Sequence, residues 1–364
     1  MSDEQSMMPI AATRREVAAQ PEVIARVLAE QSTVIRDLAQ RLAARATRQI
    51  VLLGSGDSWF AGLGCRLAFE TYSGLPAEAI QAYEYAAYGH AGFDAATAVI
   101  VISSSGRPTT TWDALDRALG TPAYVIGITD TPYAGNPFRE KVHMAIVPGA
   151  AKVGWPAQTT TATTAVLIHL AIELGRARRH LSEAIADEYT AQLWGLPKAM
   201  QSVLERSGGW AEQLTRGLLR AQARRNYTFV GSGPSLGVAY TGMALMAEGP
   251  QEAGIAITVE EFHHGLHIAT ITPDDVVVLL APTGAASRRY MDVANSVHAW
   301  GAQLVAIVDA QDSAIRQLAG STFELPAAPE PMTPLLTLLP LHQLSIHLAD
   351  QKIASGYQRP KSVP

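Results

Sequence analysis

Apolar runs without charge recur along the chain, each closed by turn residues: QIVLLG before Ser55-Gly56, TAVIVI at 97–102, YVIGI before Thr129-Asp130, and later YTFV, VVVLLA and LVAIV. Such short, β-rich, continuously apolar runs predict strands buried on both faces of a parallel sheet. Their landmarks repeat. Gly54 and Gly231, each opening a Gly-Ser-Gly turn, lie 177 residues apart, Gly106 and Gly284 lie 178 apart, and Asp130 and Asp309 lie 179 apart. Three landmarks in order at a nearly constant offset argue that one α/β unit has been duplicated.

Helical patterns separate the runs. Ser58–Tyr72 and Ser235–Glu248 are rich in small and apolar residues, whereas Thr110–Leu119 and Ser287–Trp300 alternate polar and apolar positions at helical spacing. Val23, Ile24, Val27, Leu28, Val34, Ile35, Leu38 and Leu42 form an apolar stripe that predicts an N-terminal helix with Pro21 in its first turn. The expected fold class is α/β: two duplicated doubly wound parallel-sheet domains with N-terminal helices and a C-terminal tail. The expected division is 1–48 as an N-terminal helical segment, 49–180 and 226–330 as the two sheet domains, 181–225 as connecting helix, and 331–364 as a C-terminal helix and tail. The proline-rich LPAAPEPMTP precedes that last helix, and the polar GYQRPKSVP follows it.

Composition narrows the classes. With 364 residues, 48% hydrophobic and 17% charged, the chain carries a large core, which excludes general disorder. A net charge of −5 with no long Lys/Arg run argues against a nucleic-acid footprint or a polybasic membrane anchor. The single Cys65 offers neither an intrachain disulfide nor a cysteine zinc site. The N-terminus has no apolar signal-like region, and the apolar stretch 334–348 is interrupted by Pro340, His342 and His347, so a cytoplasmic, non-membrane protein is expected.

Two segments carry candidate chemistry. Ser103-Ser104-Ser105-Gly106-Arg107-Pro108-Thr109-Thr110-Thr111 follows a predicted strand and precedes a predicted helix. There, hydroxyls and a helix N-terminus suit an anion such as phosphate, while an ordinary helix cap needs only one or two of them. Ser58 sits after the neighbouring strand, whose end opens into the same crevice. The matching loop of the second half, Ala281-Pro282-Thr283-Gly284, has one hydroxyl, so the halves differ in role. The other segment is Glu260-Glu261-Phe262-His263-His264-Gly265-Leu266-His267. It lacks a metal-ligand spacing such as HExxH, and no metal or cofactor is expected; acid–base work and a solvated polar turn both remain open. Glu248 ends an otherwise apolar helix, where burial would favour a general base.

Together these features resemble the sugar isomerase (SIS) family, specifically tandem two-domain proteins related to the isomerase half of glucosamine-6-phosphate synthase, over about residues 13–364. The family's S-x-S-G-x-(S/T) phosphate loop is matched by Ser103, Ser104, Ser105 and, displaced by one position, Thr109, and its Gly-x-Ser turn by Gly56-Asp57-Ser58. Its catalytic Glu precedes its catalytic His by sixteen residues, as Glu248 precedes His264, with Glu261 and Gly265 completing E-x-x-H-G. Lys361-Ser362-Val363 resembles the tail whose lysine closes over the sugar.

The resemblance implies a phosphorylated amino sugar as ligand, Glu248 as proton shuttle, His264 in ring opening, Lys361 in closure, and a homodimer in which His264 reaches the partner's site. Arg107, Glu261 and Thr159 are further candidates near substrate. Several synthase features are missing: Leu245 stands where a lysine is usual, Gln158-Thr159-Thr160 replaces S-T-K, and the D-x-P-R-x-L approach to the tail is absent. Those departures favour a hexosamine-6-phosphate deaminase and isomerase, with a fructosamine-6-phosphate deglycase and a non-catalytic sugar-phosphate sensor as alternatives.

Overall fold

The computed structural model describes residues 3–89, 92–107, 109–131, 135–219, 226–265, 267–310 and 312–356. Two compact units emerge from the chain: residues 21–151 with 158–197, and residues 1–20 with 152–157 and 198–364.

The first helix, α1 (Asp3–Ala44), contributes to both units. The unit built on residues 21–151 continues with β1 (Gln49–Gly54), α2 (Asp57–Ala68), β2 (Ala77–Gln81), α3 (Ala82–Tyr88), β3 (Thr97–Ile102) and α4 (Thr110–Leu119). It is completed by β4 (Tyr124–Ile128), α5 (Pro137–Lys141), β5 (Met144–Ile146), α6 (Gln158–Ala177) and the first part of α7 (Glu183–Leu219). Its five strands are all parallel in the order β2-β1-β3-β4-β5. Every residue of β3 is buried, as are all but the first of β1, which is why these strands read as unbroken apolar runs.

The other unit holds the rest of α7, then β6 (Tyr227–Val230), α8 (Pro234–Glu248), β7 (Gly254–Ile257), α9 (Val259–His264) and β8 (Val276–Ala281). α10 (Ser287–Ala299), β9 (Gln303–Asp309), α11 (Ser313–Leu318), β10 (Ser321–Leu325) and α12 (Pro334–Ala354) follow. Its sheet is again parallel, ordered β10-β9-β8-β6-β7, the same strand-for-strand arrangement as the first. The duplication read from spacing is therefore a duplication of topology.

The repeated Gly-Ser-Gly turn has one physical cause in both units. Gly56 and Gly233 cap α2 and α8 at φ 54°, ψ −130° and φ 57°, ψ −130°, a region open to glycine alone. The preceding glycines allow close approach: a Cβ on Gly54 would lie 2.7 Å from the Ser58 carbonyl carbon, and one on Gly231 2.5 Å from the Ser235 carbonyl oxygen.

Three details depart from the sequence reading. Pro21 is not in a first turn, because α1 runs through it from Asp3. A proline there deprives the carbonyl of Val17 of its helical donor, and the Gln20 side-chain amide supplies a replacement at 3.2 Å. The helix beginning near Ser58 changes to a π-turn at Phe69–Ser73 before stopping at Gly74, φ 67°. The edge strands β2, β5, β7 and β10 are absent from the apolar landmarks since each is short and partly exposed. Among the described residues, no helix is long and apolar enough to cross a membrane.

Candidate functional site

In an order of the type 2-1-3-4-5, chain connections leave the sheet in opposite directions from the first and third strands, opening a crevice at their carboxyl ends. β1 and β3 are these neighbours, and the two segments singled out from sequence, Gly54–Ser58 and Ser103–Thr111, leave from their ends. They are linked directly: the Ser55 and Thr111 hydroxyls lie 3.5 Å apart, and the Gln81 amide at the end of β2 donates to the Ser55 hydroxyl at 3.4 Å.

The loop after β3 is held from behind by its own carbonyls. Ser103 accepts from the Gly106 N–H at 3.0 Å, Ser104 from the Asp130 N–H at 2.9 Å, Ser105 from the Thr131 hydroxyl at 2.9 Å, and Gly106 from the Trp112 indole at 3.3 Å. Gly106 takes φ 59°, where a Cβ would stand 3.1 Å from the Asn136 amide and the Thr129 hydroxyl. With its acceptors committed to the scaffold, the loop is left to offer donors. Ser103 is buried, Ser104 half-buried and Ser105 exposed, while Ser58 is half-buried in the first turn of α2. The N-termini of α2 and α4 add their positive dipole ends beside these hydroxyls.

One of the hydroxyls counted from sequence also serves the helix: Thr109 is the N-cap of α4, and its oxygen accepts the Thr111 N–H at 3.3 Å. Arg107 is exposed, and its N–H donates to the Ser105 hydroxyl at 3.3 Å. Thr159 is buried in the first turn of α6, which packs on α2.

Glu248, Glu261 and His264 belong to the other unit. Glu248 is the last residue of α8 and is exposed, so the described residues do not supply the burial expected to tune it. The segment just after it is firmly held. Lys352 of α12 donates to the Pro250 carbonyl at 2.7 Å and to Glu252 at 2.6 Å, and the Trp155 ring lies against Gly249. Glu261 lies in the first turn of α9, capped by the Thr258 hydroxyl, and His264 closes the helix with its side chain 75% exposed. His263 is committed to structure, with Nε2 3.2 Å from the Ser296 hydroxyl and Nδ1 3.2 Å from the Val259 carbonyl. Among the described residues, no group of three or more His, Cys, Asp or Glu side chains is arranged to hold a metal ion. Lys361 lies outside the described residues.

Sequence reasoning passed over several supports. Thr131 and Asn136 brace the loop after β3, Arg289 holds the Glu260 carboxylate that meets His264, and Lys352 anchors the turn after Glu248. The only available signal was the Asp130/Asp309 repeat. Asp130 accepts the Ala150 N–H at 3.0 Å and Asp309 the Thr283 N–H at 2.8 Å, each ordering a loop at its sheet's carboxyl end.

Comparison with known proteins agrees with the duplicated architecture. The SIS domain family profile matches residues 44–173 and again 221–349. The chain is 26% identical over 306 residues to a glutamine–fructose-6-phosphate aminotransferase (isomerizing) of Bacteroides thetaiotaomicron, an alignment spanning 83% of this chain and 48% of that protein. It spans about half the length of the curated relatives it matches. The C-terminal domain of glucosamine-fructose-6-phosphate aminotransferase from Francisella tularensis superposes with a TM-score of 0.81 at 20% identity, covering 93% of this chain and 96% of that one. A glucosamine-6-phosphate deaminase from Thermotoga maritima superposes with a TM-score of 0.70 at 15% identity, covering 93% and 94%. These structural likenesses establish a shared fold.

Proposed function

Because the chain belongs to the SIS domain family through both of its halves, we propose that it is an enzyme that deaminates and isomerises a hexosamine 6-phosphate. The observation that carries this reading is the joining of the Gly54–Ser58 turn to the Ser103–Thr111 loop at the β1/β3 crevice, through Ser55 and Thr111. That arrangement supplies hydroxyl donors and two helix N-termini to a phosphate, and a phosphate held there fixes the sugar at a distance from its reacting carbons.

In the proposed reaction, His264 assists opening of the ring to the free aldehyde. The Glu248 carboxylate then takes the proton from C2, leaving an enolamine, and returns it to C1. The resulting imine at C2 is attacked by water, the C–N bond breaks, and ammonia leaves a ketose 6-phosphate. A proton moved between adjacent carbons by one carboxylate requires no redox change. His264 is exposed on its own chain, which is consistent with a role at the partner's site in a homodimer. Lys361, in the tail, is assigned to closure over the bound sugar.

The test is an ammonia-release and ketose-formation assay with glucosamine 6-phosphate, galactosamine 6-phosphate and a fructosamine 6-phosphate, on wild type and Glu248→Gln. Ammonia and ketose phosphate from a hexosamine phosphate, abolished in Glu248→Gln with sugar-phosphate binding kept within about tenfold, are expected. Release of amine from the fructosamine phosphate alone establishes the deglycase instead. If all three are inert while a sugar phosphate still raises the melting temperature, the chain is a sensor.

A further inference from the structure

The second sheet has its own switch-point crevice, between the carboxyl ends of β6 and β8, and a side chain of the same unit occupies it. The Glu330 carboxylate accepts the Ala285 N–H with both oxygens, at 3.2 and 3.1 Å. Its Oε1 also lies 3.9 Å from the position a Cβ would take on Gly233, the cap of α8. A Cβ on Gly284 would fall 2.1 Å from the same oxygen, so the carboxylate fills the space that this glycine leaves. Glu330 thus binds the loop after β8 and reaches beside the Gly233 cap in the loop after β6, in front of the N-termini of α8 and α10. By the 178-residue offset, Ala285 corresponds to Arg107, and Gly284 to Gly106, in the loop after β3.

We propose that this crevice is an oxyanion site closed by the chain's own Glu330 carboxylate, which takes the place that a phosphate group would occupy. The duplication supplies the reason for expecting an anion site, and the bound carboxylate shows that the loop accepts one. Tyr290 behaves accordingly. Its phenol bridges the Ser232 N–H and carbonyl at 3.2 Å each, and burial, with the Glu330 charge adding, holds it above the ordinary phenol range. In the sequence, Pro334 and Gln158, which begin α12 and α6, are 176 apart (334 − 158), so Glu330 aligns with Gly154, and the stretch Lys152-Val153-Gly154 carries no acid. The halves have diverged in this acid as well as in their hydroxyls: the second crevice is filled from within, and the aligned stretch of the first half holds no carboxylate that could do the same.

The test is equilibrium dialysis of the full chain with radiolabelled inorganic phosphate. In a Ser105→Ala background, which isolates the second half, Glu330→Ala is expected to bind one phosphate per chain more than the same chain with Glu330 intact. A folded Glu330→Ala chain that binds no additional phosphate overturns the proposal and makes Glu330 a structural clasp. Should Glu330→Ala not fold, Glu330→Gln keeps one acceptor for the Ala285 N–H and drops the charge. Phosphate is then expected to raise its melting temperature more than that of wild type, and an equal rise overturns the proposal. Phosphate binding by Ser105→Ala with Glu330 intact is read separately, so failure of the first-half site and failure of this one are distinguishable.

Discussion

Glu260 Oε1 lies 3.0 Å from His264 Nε2, one turn along α9, while its Oε2 accepts from Arg289 Nε at 2.9 Å and an Arg289 Nη at 2.6 Å. Arg289 is in turn held by Asp292 at 2.7 Å. An isolated exposed pair stabilises a protein little, so the value of this chain of charges lies in fixing the imidazole rather than the fold. Glu260→Gln is therefore expected to leave the melting temperature nearly unchanged and to lower kcat on a ring-closed hexosamine phosphate by about tenfold. An open-chain analogue, which needs no ring opening, should be affected much less. Equal losses on both substrates would remove Glu260 from the positioning of His264.

The division of labour among the hydroxyls after β3 makes a paired prediction. Thr109 caps α4, so Thr109→Ala should cost about 1 kcal/mol of stability. Ser105 is exposed, and its side chain accepts a local N–H, from Arg107. Ser105→Ala should be thermally silent yet weaken a sugar phosphate at least about tenfold while leaving an unphosphorylated sugar unaffected. Calorimetric titration with both sugars and a thermal melt check the two variants together. Uniform weakening of both sugars by Ser105→Ala would take the phosphate away from this loop.

The two Gly-Ser-Gly turns provide an internal control, because the steric demand is the same and the proposed use is not. Gly54→Ala and Gly231→Ala each drive a methyl into the backbone of the following helix, at 2.7 and 2.5 Å, so both should destabilise by on the order of 1–3 kcal/mol. Only Gly54→Ala should also weaken sugar-phosphate binding, measured under conditions where both variants are folded. If Gly231→Ala weakens it equally, the second-half turn is part of the site.

What the sequence revealed and what it concealed divide along physical lines. The central strands were legible because burial on both faces forbids charge, and the Gly-Ser-Gly turns because only glycine takes φ near 55° together with ψ −130°, as at Gly56 and Gly233. Ser103–Ser105 stood out as candidates because hydroxyls after a buried strand are chemically distinctive. The helix through Pro21 was not, since proline ordinarily marks a helix start, and the compensating Gln20 side chain bonds only when the helix has already formed. Glu330 was hidden for a different reason. It lies in a proline-rich turn 45 residues from Ala285, and nothing local says that its carboxylate folds back onto that N–H.

Buried histidines give the pH dependence of the fold. His169, on α6, is almost fully inaccessible, and burial, with the Arg36 and Arg176 charges adding, pushes its imidazole down to about 4. It is therefore neutral near pH 7, and its 3.9 Å approach to Glu173 is no ion pair. His342, buried on α12 with Nδ1 3.4 Å from the Gln20 amide, is pushed down to about 3 by burial. In the unfolded chain both titrate near 6.5. Between that value and the folded one, the unfolded state holds more protons, so stability falls as pH falls; above about 6.5 neither histidine contributes. For His169 the loss by pH 4 is on the order of 3 kcal/mol. His169→Gln, uncharged throughout, is expected to keep its stability near pH 7.5 and to flatten the decline between pH 6.5 and 4 by about that amount, with the remaining slope due to His342 and the carboxylates. Urea denaturation across this range decides the matter: curves for wild type and variant that stay parallel would mean that His169 takes up its proton in the folded state without penalty.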